Sequence, residues 1–103
     1  MDFTRLSNRL VIAPQLGSQD IAELASSAFV GIINNRPDGE EPDQPTSAEL
    51  EAQARRRGLA YWHVPIVPSQ MTDTDVREFA VALREADGPV LAFCRTGNRS
   101  TAL

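Results

Sequence analysis

Four short apolar runs recur along this 103-residue chain: Leu10-Val11-Ile12-Ala13, Phe29-Val30-Gly31-Ile32-Ile33-Asn34, Tyr61-Trp62-His63-Val64-Pro65-Ile66-Val67 and Val90-Leu91-Ala92-Phe93. Each has strand length, and amphipathic helical stretches separate them. Strands alternating with helices predict a three-layer α/β fold whose central sheet is largely parallel and has about four to five strands. The near-continuous apolar character of the second and fourth runs is expected of strands covered on both faces. A chain this short supports one core, so residues 1–103 read as a single domain.

The helical stretches carry their own signals. Ser18 is expected to cap a helix over residues 19–27, with Ile21, Leu24, Ala25 and Ala28 on its buried face. Three prolines and a glycine forbid regular structure over residues 35–45. Thr46 and Glu49 have capping-box spacing for a helix running to Arg57 and stopping at Gly58. Pro65 marks the third strand as an edge or a strand end. Thr72 or Thr74 caps a last helix with Val76, Phe79, Ala80 and Leu83 as its buried stripe. Asp73 and Asp75 read as residues of its first turn.

The net charge of −4 argues against nucleic-acid binding, which normally shows a basic face. No run approaches the 18 or so apolar residues that span a bilayer, so no membrane partner is expected. The N-terminal residues lack a secretory pattern, and the expected location is cytoplasmic. One Cys and one His cannot build a structural zinc site or a disulfide, and no metal or cofactor is expected. His63 reads as a structural strand residue, and the acidic run Asp38, Glu40, Glu41 and Asp43 as a solvated loop.

The chemistry concentrates at Phe93-Cys94-Arg95-Thr96-Gly97-Asn98-Arg99-Ser100. A strand running into a turn with Gly97 and Asn98 aims backbone N–H groups into one concavity, an anion cradle formed by Arg95, Thr96, Gly97, Asn98 and Ser100. A helix beginning near Arg99 adds its dipole there. Those N–H groups, with Arg95 and Arg99, are expected to acidify the Cys94 thiol, and the thiolate is the nucleophile. In an α/β sheet such a residue stands at the carboxyl end of a strand, where ligands bind.

The loop Cys-Arg-Thr-Gly-Asn-Arg-Ser resembles the active-site loop of single-domain rhodaneses, which carry sulfur as a cysteine persulfide. Nearly the whole chain resembles the phosphatase-like domain of beta-lactamase-hydrolase-like proteins, also described as a sulfurtransferase family. That likeness rests on Ile32-Ile33-Asn34-Asn35-Arg36-Pro37-Asp38-Gly39-Glu40, on His63-Val64-Pro65-Ile66-Val67-Pro68 and on the Cys94 loop. It implies a cysteine-phosphatase-like fold similar to dual-specificity phosphatases. Arg36 is then expected to lend positive charge to the pocket, or else to organise its loop by pairing with Asp38 or Glu40. Some family members continue into a metallo-hydrolase domain resembling persulfide dioxygenases, an expected partner, fused or separate. Only four residues follow Arg99, so the chain reads as truncated at its C-terminus or as supported by another subunit.

Cysteine phosphatases carry five residues between cysteine and arginine, whereas here Arg99 follows Cys94 after four. Phe93 stands where those enzymes usually have histidine. The segment Val67-Pro68-Ser69-Gln70 lacks the aspartate that serves as their general acid, a role contributing about 10²–10⁴-fold; Asp38 is the carboxylate that remains to swing in. The first expectation is therefore a sulfurtransferase acting through a Cys94 persulfide on a small sulfur-containing anion, with Arg99 assisting. A phosphatase-like hydrolase acting through a Cys94 phospho-enzyme is the alternative, and a redox- or anion-sensing module the third.

Overall fold

In a computed structural model of the chain, residues 4–67 and 70–95 are described. They form strand β1 (Thr4–Arg5), β2 (Leu10–Ala13), helix α1 (Ser18–Ala25), β3 (Gly31–Asn34), α2 (Ser47–Arg56), β4 (Ala60–His63), α3 (Asp73–Glu85) and β5 (Val90–Phe93). The strand order is β1-β2-β5-β3-β4. Only β1 runs antiparallel, pairing Thr4 with Ile12 and Arg5 with Val11. The expected α/β fold with a largely parallel sheet is present, and β1 is the strand that hydrophobic patterning misses, because both its residues are exposed.

Alternation along each strand sorts the core into two layers. Val11, Ala13, Ile32, Tyr61, Leu91 and Phe93 pack on one face, against Ile21 and Leu24 of α1 and Leu50 and Ala54 of α2. Ile12, Ile33, Val90 and Ala92 pack on the other, against Phe79 and Ala82 of α3. The connection from β3 to β4 runs toward the sheet edge and that from β4 to β5 runs back. Crossovers of one hand travelling in opposite directions put α2 and α3 on opposite faces. All four residues of β5 are buried, as the central position of that strand requires.

Several local expectations are refined. Thr46 caps α2 by accepting the Glu49 N–H, and Gly58 ends the segment with φ of 80°, a left-handed conformation that favours glycine. Gly17, not Ser18, is the cap of α1, and its N–H donates to Asp20 Oδ2 at 2.8 Å. Thr72 caps α3 in a reciprocal box with Asp75, which keeps Asp75 in the helix start. The α3 stripe is rotated from the expected one. Phe79, Ala82 and Ala86 are buried and Leu83 partly so, while Val76 and Ala80 are exposed. Pro65 follows β4, which is the edge strand. Gly31 opens β3 under the Trp62 ring: a Cβ there would lie 2.8 Å from Trp62 Cζ3. Among the described residues no helix is long and apolar enough to cross a membrane.

Candidate active site

Cys94 leaves the carboxyl end of β5, and β5 lies between β2 and β3 in parallel register, with Ala13 and Asn34 both opposite Phe93. The pairing persists past the strand ends. Asn35 N–H donates to the Phe93 carbonyl at 2.8 Å, and Gln15 N–H donates to the Arg95 carbonyl at 3.3 Å. One step beyond the Phe93 row the neighbours are Pro14, Cys94 and Asn35. A further step brings Gln15, Arg95 and Arg36 side by side. The sheet thus carries the nucleophile candidate and two arginines to the edge where parallel sheets bind ligands. Cys94 itself is fully buried.

The backbone that presents Arg36 is held by a buried polar network. Asn34 Oδ1 accepts the Arg36 N–H at 2.8 Å, and Asn34 Nδ2 donates to Tyr61 Oη at 2.9 Å. Tyr61 Oη also shares a 2.9 Å hydrogen bond with Ser47 Oγ. Asn35 Nδ2 donates to the Val64 carbonyl, and the Asn35 carbonyl accepts the Ile66 N–H. His63 is structural as expected, with Nε2 3.0 Å from the Arg36 carbonyl. Burial raises the Tyr61 pKa above 10.0, against the lowering effect of its hydrogen bonds with Ser47 and Asn34. A raised phenol pKa means the folded state holds the proton more tightly. The contribution is complete below the unfolded value and is lost as pH climbs from about 10 toward the folded one. Tyr61→Phe is expected to cost about 1–3 kcal/mol at neutral pH, because Ser47 and Asn34 lose a buried partner. Urea melts at pH 8 and pH 10.5 should show the gap between variant and parent narrowing at the higher pH.

Arg36 is 3% exposed. Its Nε donates to Glu40 Oε1 at 2.9 Å and its Nη1 to Gln15 Oε1 at 2.9 Å. Glu41 Oε1 lies 3.1 Å from Arg36 Nη2 and 2.9 Å from Arg95 Nε. The expected pairing of Arg36 with Glu40 is present and that with Asp38 is not. Asp38 Oδ1 accepts the Ser47 N–H at 2.7 Å, tying the 37–45 loop to the start of α2. Glu40 and Glu41 are not a merely solvated run, since both grip arginine. Gln15, Tyr61 and Asn34 escaped the sequence reading because their partners are remote in sequence. Thr96, Gly97, Asn98, Arg99 and Ser100, with the short helix expected after them, lie outside the described residues. Among the described residues no cluster of three or more His, Cys, Asp or Glu is placed to hold a metal.

Comparison with known proteins places this arrangement among cysteine-phosphatase-like folds. The family model described as beta-lactamase hydrolase-like protein, phosphatase-like domain, matches residues 2–103. Beta-lactamase hydrolase-like proteins of Agrobacterium fabrum and Xylella fastidiosa are 39% and 38% identical over the whole chain. The chain spans 24% of the length of each. A crystal structure of a candidate phosphatase from Neisseria meningitidis is 35% identical with a TM-score of 0.87, over 95% of this chain and 70% of that one. Pseudomonas aeruginosa TpbA, solved with phosphotyrosine, shares the fold at 21% identity and a TM-score of 0.66, over 96% of this chain and 56% of its own. These likenesses fit the phosphatase-like alternative and lend no support to the sulfurtransferase expectation.

Proposed function

The chain belongs to the phosphatase-like domain family of beta-lactamase hydrolase-like proteins, and from that premise we propose that it is a phosphate-monoester hydrolase using Cys94 as nucleophile. The observation that carries the reading is the position of Cys94 at the carboxyl end of the central strand β5, one residue short of the row formed by Gln15, Arg95 and Arg36. In the first step the Cys94 thiolate attacks phosphorus, forming an S–P bond as the ester P–O bond breaks and the alcohol leaves as its anion, which then takes a proton from water. In the second step water attacks the phosphocysteine, releasing inorganic phosphate and returning the thiolate. The transferred group keeps its negative charge throughout, so fixed cations and N–H dipoles around it supply most of the stabilisation. Arg99 and the N–H groups of residues 95–100 are the groups proposed for that role.

The carboxylate expected to protonate the leaving oxygen is otherwise engaged, because Asp38 is bound to the Ser47 N–H. The enzyme should therefore favour esters whose alcohol leaves readily as an anion. Aryl phosphates are expected to turn over faster than alkyl phosphates by about 10²-fold or more, the scale of a missing general acid. Steady-state rates with an aryl and an alkyl monoester measure the ratio, and equal rates would argue for an acid supplied from elsewhere.

A second reading is favoured by one observation, the spacing of four residues between Cys94 and Arg99. A shorter loop offers fewer N–H groups and suits sulfur carried as a Cys94 persulfide, with thiosulfate as donor and sulfite as leaving anion. Parallel assays with aryl phosphate and with thiosulfate plus cyanide separate the two. Phosphate release without thiocyanate supports the hydrolase, and the opposite result replaces it.

A further inference from the structure

Resting on the reading of Cys94 as the centre of a phosphoryl site, we propose that Arg36 and Arg95 form a second oxyanion subsite beside it, filled in this structure by the Glu41 carboxylate. Substrates with a second anionic group, a phosphate or a carboxylate, displace Glu41 and bind both guanidinium groups. Continuing the register puts both arginines one residue past Cys94, on the segments that leave the neighbouring strands β3 and β5. A single carboxylate oxygen, Glu41 Oε1, lies within 3.1 Å of one and 2.9 Å of the other, which is the geometry of an anion held between two cations.

The two glutamates do different work. Glu40 is 22% exposed and receives a direct Nε–H hydrogen bond from Arg36, so it fixes that side chain. Glu41 is 42% exposed and meets Arg36 only through charge. Arg36 Nη2 is buried and makes no hydrogen bond among the described residues, because its N–H groups are not aligned on that oxygen. A buried guanidinium nitrogen with an unused donor is costly, and a tetrahedral or carboxylate oxygen of a ligand supplies the missing acceptor. The Arg95 to Glu41 contact joins side chains 62% and 42% exposed, a kind of pair that contributes little net stability. Glu41 is therefore exchangeable where Glu40 is not. Two guanidinium and two carboxylate groups balance at rest, so a singly anionic ligand at Cys94 gains little from this pair, while a ligand that expels Glu41 gains both cations.

The test uses inorganic pyrophosphate and inorganic phosphate as probes, with binding to the 103-residue chain measured by titration calorimetry. Glu41→Gln keeps the side chain's shape and removes its charge. It should tighten pyrophosphate binding by about five- to tenfold at low salt, the scale of one charge in a partly solvated site, and change phosphate binding by less than about twofold. Arg95→Gln should weaken pyrophosphate binding by a larger factor than it weakens phosphate binding. The subsite is overturned if Glu41→Gln leaves pyrophosphate binding unchanged, if both anions tighten equally, or if neither protein binds pyrophosphate. Arg95→Gln alters a mostly exposed side chain, so it remains informative should the first variant fold poorly. Binding is read without turnover, so a chain that discriminates pyrophosphate yet hydrolyses no aryl phosphate refutes the hydrolase and leaves the subsite standing.

Discussion

Cys94→Ser is expected to lower aryl phosphate turnover by on the order of 10⁴-fold while the chain still folds, because a serine hydroxyl ionises far less readily than a thiol and is the weaker nucleophile. The residue directly follows β5, whose four residues are buried, and is itself fully buried. Exchanging sulfur for oxygen there removes little volume, so the thermal midpoint should fall by only a few degrees, for a cost of about 1 kcal/mol. Steady-state kinetics and a melt on the same preparation separate chemistry from folding. Activity within tenfold of the parent would dismiss Cys94 as nucleophile under either the phosphoryl or the sulfur reading.

The second large effect is on stability. Arg36→Met should destabilise the chain by about 3–5 kcal/mol, the range for breaking a buried charge pair from one side. The variant removes the Arg36 cation from Glu40, which is 22% exposed, and the donor to Gln15 Oε1. Arg95→Met touches the same Glu41 from an exposed position and should cost less than about 1 kcal/mol. Urea midpoints of the two variants test the contrast. Equal losses would mean that burial does not govern this network and that Arg36 is not its anchor.

These two expectations draw on different kinds of information. Cys94 as a candidate nucleophile was legible in the sequence, since a lone cysteine after an apolar strand and before glycine, asparagine and arginine stands out from the rest of the chain. The weight of Arg36 was not. It depends on Gln15, 21 positions earlier, and on Glu40 and Glu41 in a loop that prolines keep irregular. Asp38 illustrates the same limit. In the sequence it reads as a free loop carboxylate, whereas its Oδ1 accepts the Ser47 N–H at the start of α2. The α3 stripe was misplaced for a geometrical reason. Phe79 anchors both versions, but the helix turns Ala82 and Ala86 inward and leaves Val76 and Ala80 in solvent, and hydropathy alone does not distinguish such neighbouring registers.

The sequence by itself determined the class of fold and singled out Cys94 as the candidate nucleophile. Apolar periodicity, caps and breakers act over a few residues, and a strand-to-loop motif is contiguous in the chain. Tertiary structure alone decided which charges meet. Bringing β5 between β2 and β3 aligned residues 15, 36 and 95 in one row, and guanidinium–carboxylate contacts depend on distance in space, which a linear order of residues does not carry.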